Sequence, residues 1–140
     1  MTKMANTFCV AERVAFFETD ASGIIHFMFV LRYFEVGERE ALRTAGIKVG
    51  DPSRGGEHLP RVHVDVEYHR PLFYDDPIEI RTQCHHIGRT SITWHHDIYR
   101  ADERCVSGTM TTVLIDREGR PQVVPNSWRR SLGMDEYPAW

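Results

Sequence analysis

One aspartate, Asp20, stands where a carboxylate could carry out acyl-transfer chemistry. It follows a predicted strand at residues 10–17, and Gly23 gives the next turn its backbone freedom. A long helical segment then begins near His26 or Phe27. The first turn of a helix carries N–H groups without partners, so these donors would face the carboxylate. An activated oxygen beside such donors could attack a carbonyl and stabilise the resulting oxyanion.

The helix is indicated by apolar residues that recur at spacings of three and four. They are Phe27, Val30, Leu31, Phe34, Ala41, Leu42 and Ala45. Gly46 follows, where a left-handed C-cap is expected. A simpler interpretation of the loop stays open, because Asp20 could cap its own turn while the N–H groups meet water.

The composition limits the classes of function. The 140 residues include 17 basic and 20 acidic ones, with no basic run or stripe, so no nucleic-acid partner is indicated. No apolar stretch approaches the ~20 residues of a transmembrane segment, and no signal-peptide run is visible at the N-terminus. The three cysteines lie far apart and form no CxxC pair, which predicts a reduced, cytoplasmic location. We expect a single domain spanning residues 1–140.

Four further strands are predicted after the helix, from the alternation of apolar and polar residues. They span residues 61–68, 78–87, 91–100 and 105–116, and a short helix starts near residue 125. Short connecting turns imply antiparallel neighbours. The expected fold is therefore α+β, with a five-stranded antiparallel sheet around one long helix. The strand at 61–68 should be half-buried, and the face without a helix should support self-association.

Two segments are specific in combination: the Asp-x-x-Gly loop at 17–25 and the Leu-Arg-Tyr-Phe-Glu run at 31–35. Residues 66–68, 74–80 and 89–91 support them. On these residues the chain resembles the hotdog-fold acyl-CoA thioesterases. The resemblance is to the group with 4-hydroxybenzoyl-CoA thioesterase and the short-chain acyl-CoA thioesterases of the bacterial Tol–Pal system. It covers residues 11–125 and implies a hotdog fold and thioester hydrolysis.

The resemblance also implies roles for individual residues. Asp20 matches the catalytic aspartate, which acts as nucleophile or as general base for water. Phe27 matches the residue whose backbone N–H, at the helix N-terminus, polarises the thioester carbonyl. Gly23 matches the loop glycine that lets the thioester approach.

The resemblance further implies how the rest of the substrate binds. Arg89, Thr90 and Ser91 lie where the family contacts the phosphates of CoA, and a guanidinium binds phosphate oxygens in a fork. No cofactor is implied, because thiolate leaves readily and the CoA moiety belongs to the substrate. Two subunits usually build each site in this family, which implies a homodimer or a homotetramer built as a dimer of dimers.

The chain departs from its relatives at the helix start. The Tol–Pal group carries a histidine where this chain has Phe27, whereas His26 here stands one place earlier and could orient water or the Asp20 carboxylate. Met28 and Phe29 are bulkier and more apolar than the residues of many relatives. Two rival functions therefore stay open: a hotdog hydratase or dehydratase, and a non-catalytic protein that binds acyl-CoA or acyl carrier protein.

Other charged residues receive simpler interpretations. The histidine doublets at 85–86 and 95–96 could suggest a metal, but strand neighbours point to opposite faces, so no metal site is predicted. Glu35 and Glu38 are expected to be solvated or to pair with a helix arginine, Arg32 or Arg39, at helical spacing. A second catalytic carboxylate on the helix is the alternative.

Overall fold

The computed structural model describes residues 2–4, 6–50 and 56–137. In chain order these residues form β1 (Thr2–Met4), β2 (Thr7–Arg13), a 3₁₀ turn (Phe16–Glu18), α1 (Phe29–Thr44), β3 (Arg61–Tyr68), β4 (Pro77–Ile87), β5 (Ser91–Arg100), β6 (Glu103–Val113) and α2 (Asn126–Ser131). In this part of the chain, no helix is both long and apolar enough to cross a bilayer.

All strands belong to one antiparallel sheet, in the order β1-β2-β4-β5-β6-β3. The long helix α1 packs against β2, β4 and β5. This arrangement confirms the predicted α+β hotdog fold with one main helix. The short strand β1, which the sequence pattern did not predict, extends the five expected strands at one edge.

Some boundaries differ from the sequence predictions. The first strand ends at Arg13 because the chain leaves the sheet there, and the N–H of Val14 donates to the Asp76 carbonyl at 3.0 Å. The last long strand ends at Val113, three residues before the predicted limit. The expected C-cap is confirmed: Gly46 has φ +76°, a conformation that favours glycine.

The core lies between α1 and the sheet and consists of two clusters of buried apolar side chains. One centres on Trp94 and the other on Phe34, both of them fully buried. Gly37 lets the helix lie close against the sheet, because a Cβ at this position would lie 2.0 Å from Thr82 Oγ1. A glycine at this point therefore sets the depth at which the helix sits.

A buried polar pair, Thr82 and His96, lies beside Gly37. His96 Nδ1 is 2.8 Å from Thr82 Oγ1, and the imidazole stacks on Phe34 with ring centres 4.6 Å apart. Its Nε2 has no hydrogen-bond partner among the described residues. Burial lowers the pKa of His96 to about 3, so the ring is neutral at physiological pH. The described residues also contain no group of three or more His, Cys, Asp or Glu side chains that could hold a metal.

We expect the free energy of unfolding to fall as the pH is lowered from 6.5 towards 3. In this range the unfolded chain binds a proton at His96 and the folded chain does not, so the stability present above pH 6.5 is lost below it. In His96→Gln the loss of unfolding free energy between pH 6.5 and pH 3 should be smaller by about 4 kcal/mol. Urea unfolding at a series of pH values measures the difference, with the exposed His85→Gln as control. Equal slopes in wild type and His96→Gln would contradict the expectation.

The strand β3 forms an edge of the sheet and is not half-buried in the single chain, so that prediction was wrong. Val62, Val64 and Tyr68 are 61%, 39% and 50% exposed. The alternation is present, but within the described ranges β3 pairs with β6 alone, and α1 packs against β2, β4 and β5. An uncovered edge strand with apolar side chains is suited to pairing with another chain.

Candidate active site

The Asp20 loop is a small hairpin between the 3₁₀ turn and α1. The N–H of Asp20 donates to the Ile24 carbonyl at 2.8 Å, and the N–H of Gly23 donates to the Asp20 carbonyl at 3.0 Å. Gly23 has φ +83°, which a residue with a side chain rarely adopts. The N–H of Ile25 donates to the Leu72 carbonyl at 2.8 Å and ties the loop to the segment before β4. The loop is therefore closed locally and fixed to the sheet.

Ser22 holds the partly exposed carboxylate of Asp20. Oδ1 of Asp20 accepts hydrogen bonds from the Ser22 hydroxyl at 2.6 Å and from the Ser22 backbone N–H at 2.8 Å. The hydroxyl is the main cause that lowers the pKa of Asp20, and backbone N–H groups of Ser22 and Ile24 act in the same direction. The carboxylate is therefore ionised at neutral pH and is available as a nucleophile or as a base.

Glu18 anchors the loop from inside the protein and was not among the predicted site residues. Its side chain is 1% exposed, and Oε1 accepts from the Tyr33 hydroxyl at 2.7 Å and from the Ala15 N–H at 2.8 Å. Oε2 accepts from Arg32 Nη1 at 3.1 Å. The Glu18 carbonyl also accepts from the His26 N–H at 2.8 Å. Glu18 therefore ties both ends of the loop to the first turns of α1.

Phe27 lies in a turn that precedes α1, because the helix begins at Phe29 and not at His26 or Phe27 as predicted. The backbone N–H of Phe27 has no hydrogen-bond partner in the described part of the chain. Its carbonyl accepts from the Tyr68 hydroxyl at 2.8 Å, which fixes the peptide after Phe27. His26 supports the same turn: its Nδ1 accepts from the Met28 N–H at 3.2 Å, and its ring stacks on Phe27.

A groove of about 350 Å³ brings Asp20 and Phe27 together. His26 does not contribute to its lining, which otherwise includes Ile24, Tyr68, His69, Arg70, Pro71 and Val106. The residues that end β3 thus form a wall that the sequence interpretation did not assign to the site. The only sequence signal was the His-Arg-Pro break that ends this strand.

Hydrogen bonds hold this wall in place. The N–H groups of His69 and Arg70 both donate to the Cys105 carbonyl, at 2.8 and 3.0 Å. His69 Nε2 lies 2.8 Å from Ser107 Oγ, and Arg70 Nε lies 3.1 Å from a Glu103 carboxylate oxygen. The groove is therefore bounded by fixed groups on the β3 side.

The predicted phosphate contacts lie far from the groove within one chain. β4 begins at Pro77, close to the Asp20 loop, and runs to Ile87 before the turn at 88–90. Its 11 residues span about 33 Å at the usual rise of a strand. A site that combines Asp20 with Arg89, Thr90 and Ser91 would therefore need the turn of a second subunit.

A second cavity, of about 540 Å³, lies at the opposite end of β3 and is lined by Glu38 and Arg61. Glu38 is 5% exposed, its Oε1 accepts from Arg61 Nη2 at 3.2 Å, and its Oε2 has no partner among the described residues. The predicted pairing with a helix arginine was wrong, because Arg32 pairs with Glu18 and Arg39 with Glu40. Burial raises the pKa of Glu38 to about 7.

We expect Glu38→Gln to stabilise the protein at pH 8. Because the folded-state pKa of Glu38 lies above the ordinary value of 4.5, its stability contribution is complete below pH 4.5 and is lost as the pH rises through 7. Glutamine cannot ionise, so the variant should gain about 2 kcal/mol at pH 8 and little at pH 4. Urea unfolding at both pH values measures the gain, with the exposed Glu118→Gln as control. A variant less stable than wild type at pH 8 would contradict the expectation.

Comparisons with known proteins agree with the observed fold. A family model described as the thioesterase-like superfamily matches residues 14–132. A protein from Aquifex aeolicus named "Putative esterase" is 34% identical over 95 residues, which are 68% of this chain and 74% of that protein.

Two further relatives extend the similarity along the chain. A 1,4-dihydroxy-2-naphthoyl-CoA hydrolase from Synechococcus sp. strain CC9605 is 26% identical over 117 residues, which are 79% of this chain and 78% of that one. The crystal structure of a 1,4-dihydroxy-2-naphthoyl-CoA thioesterase from Synechocystis has a TM-score of 0.83 at 18% identity and covers 94% of this chain and 99% of that one. The structural match shows a shared fold.

Proposed function

Because the chain belongs to the thioesterase-like superfamily and is a thioester hydrolase, we propose that it hydrolyses acyl-CoA thioesters at the Asp20 groove. The products are a free acid and CoA. The observation that carries the proposal is that one groove is lined both by Asp20, whose carboxylate is ionised, and by Phe27, whose N–H has no hydrogen-bond partner among the described residues. Thioester hydrolysis needs an activated oxygen and an oxyanion donor, because thiolate leaves without strong acid assistance.

Asp20 acts in one of two ways. It attacks the thioester carbonyl, expels the CoA thiolate and forms a mixed anhydride that water opens, or it takes a proton from the water that attacks the carbonyl while the CoA thiolate leaves. In both cases the Phe27 N–H binds the carbonyl oxygen as negative charge develops, a contribution of about 3 kcal/mol in comparable sites. Ser22 orients the carboxylate and Tyr68 holds the Phe27 peptide. The proposed mechanism uses no metal or cofactor.

We propose an aromatic acyl group as the preferred substrate class. The groove walls include Ile24, Phe27, Tyr68 and Pro71, which offer apolar surface to a ring. The Synechococcus relative is named a hydrolase of an aromatic CoA thioester. The finer resemblance to the 4-hydroxybenzoyl-CoA and Tol–Pal group stays a prediction, since the relatives above do not single that group out.

The decisive experiment is a hydrolysis screen with aryl, short-chain and long-chain CoA thioesters, in which release of free thiol is measured. The proposal expects turnover with the highest kcat/KM on an aryl-CoA. Binding of acyl-CoA without turnover would favour the non-catalytic rival, and addition of water to the double bond of an enoyl-CoA without release of thiol would favour the hydratase. Preference for an aliphatic thioester would overturn the substrate class and leave the hydrolase standing.

We also propose that the working form is a homodimer or a homotetramer, located in the cytoplasm. The uncovered β3 edge and the distance between Asp20 and the turn at 88–90 both support a second copy. Sedimentation of the purified protein should show a dimer or tetramer, and a monomer at all concentrations would contradict the proposal.

A further inference from the structure

A buried arginine of α2 holds the turn between β4 and β5. Arg129 is 2% exposed, and its guanidinium donates to four backbone carbonyls. Nη1 donates to the Ile87 carbonyl at 3.2 Å, and Nε donates to the Val124 carbonyl at 3.3 Å. Nη2 donates to the Gly88 carbonyl and, at 3.5 Å, to the Arg89 carbonyl. One rigid fork thus holds three consecutive carbonyls of the turn.

Other contacts turn the same backbone inward. The N–H of Val124 donates to the Arg89 carbonyl at 2.9 Å, and the N–H of Leu114 donates to the Thr90 carbonyl at 2.8 Å. The N–H groups of Arg89 and Thr90 have no hydrogen-bond partner within the described ranges, and the residue Arg89 is exposed. The turn therefore directs its carbonyls inward, those of Gly88 and Arg89 to a buried cation, and leaves N–H donors and a guanidinium for solvent. Such a polarised turn is suited to an anion.

We propose that the turn at residues 88–91 meets the phosphates of CoA and that Arg129 is its positioning residue. It touches no substrate and acts by holding Arg89 and the two unpaired N–H groups in the orientation that meets phosphate oxygens. The proposal rests on the proposed function, because it assumes that the substrate carries the phosphates of CoA. Lysine at this position would keep the charge and lose the fork, so it could not hold three carbonyls at once.

The test compares two thioesters of the same acyl group, one of CoA and one of N-acetylcysteamine, which carries no phosphate. The variants are Arg129→Lys and Arg129→Met. We expect KM for the CoA thioester to rise about tenfold, as for loss of one charged hydrogen bond, with kcat within about twofold of wild type. Both constants for the N-acetylcysteamine thioester should stay within about twofold, because this substrate does not reach the turn.

Arg130→Met is the matched control. Arg130 lies next to Arg129 on α2, its side chain is 61% exposed, and it pairs with Glu136 away from the turn. This variant should have wild-type constants for both thioesters. An equal loss on both thioesters in the Arg129 variants would show a merely structural role and overturn the proposal, as would an unchanged KM for the CoA thioester.

Coupling to Arg89 provides a second, independent readout. Arg89→Ala should raise KM for the CoA thioester, and adding Arg129→Lys should raise it by much less than in the wild-type background, because the two residues act as one unit. Additive effects would contradict this.

If the Arg129 variants do not fold, hydrogen exchange on the wild-type protein decides: CoA should protect the amides of residues 88–91, and no protection would overturn the proposal.

Wild-type turnover separates the two proposals. If wild-type protein hydrolyses both thioesters and Arg129 proves irrelevant, the hydrolase assignment stands and only the positioning role fails. If it hydrolyses neither thioester, both proposals are overturned.

Discussion

Asp20→Asn should lower kcat for an acyl-CoA thioester by about a thousandfold, within the 10²–10⁴ range that is usual for loss of a catalytic base. The amide has the shape of the carboxylate, but it cannot attack the carbonyl or take a proton from water. Folding should be unaffected, because Oδ1 of the asparagine can still accept the two hydrogen bonds from Ser22. Steady-state kinetics and the midpoint of urea unfolding measure the two effects.

The matched control for this variant is Asp102→Asn. Asp102 is an exposed aspartate in the turn between β5 and β6 and is not among the residues that line the groove. It should leave kcat at the wild-type value. Wild-type hydrolysis by Asp20→Asn across the substrate screen would refute the proposed role of Asp20.

Glu18→Ala should have the largest effect on stability, a loss of about 3 kcal/mol in the free energy of unfolding. The substitution leaves the fully buried Tyr33 hydroxyl and the Ala15 N–H without an acceptor, and Arg32 loses its carboxylate. Burial next to Glu18 raises the pKa of Tyr33, so the phenol stays a donor that needs this partner. Urea unfolding at neutral pH measures the loss.

A graded pair of variants checks the Glu18 argument. Tyr33→Phe removes one donor and keeps the carboxylate with two partners, so its cost should be only about 1 kcal/mol. Because the Glu18 side chain also anchors the Asp20 loop, Glu18→Ala should lower kcat as well as stability, whereas Asp20→Asn should lower kcat alone. A Glu18→Ala protein as stable as Tyr33→Phe would refute the anchoring role.

Much of the architecture was predictable from local patterns. The apolar spacing between Phe27 and Ala45 indicated α1, and the alternation in residues 61–68 and 91–100 gave the limits of β3 and β5. Gly23 and Gly46 have the positive φ angles expected of a loop glycine and a helix cap. These features depend on neighbours a few residues away, and the residue order alone records such neighbours.

The placement of Asp20, Gly23 and Phe27 in one loop region could also be predicted from the sequence, because they belong to one continuous motif. The start of α1 could not be predicted, because the turn at His26 is stabilised by the Glu18 carbonyl and by the phenol of Tyr68 from β3. Propensity cannot register a hydrogen bond that comes from another element of the fold.

What remained hidden in the sequence were the partners that meet across long separations. β3 follows α1 in the chain but pairs with β6, and this pairing leaves its side chains exposed and places Tyr68 beside Phe27. Glu38 finds Arg61 instead of a helix arginine for the same reason. Periodicity determines which face a residue occupies, whereas sheet order and register determine which distant residue that face meets. Sheet order and register therefore determine the walls of the groove, the buried contacts of Glu18 and the hydrogen bonds of Arg129 to its turn.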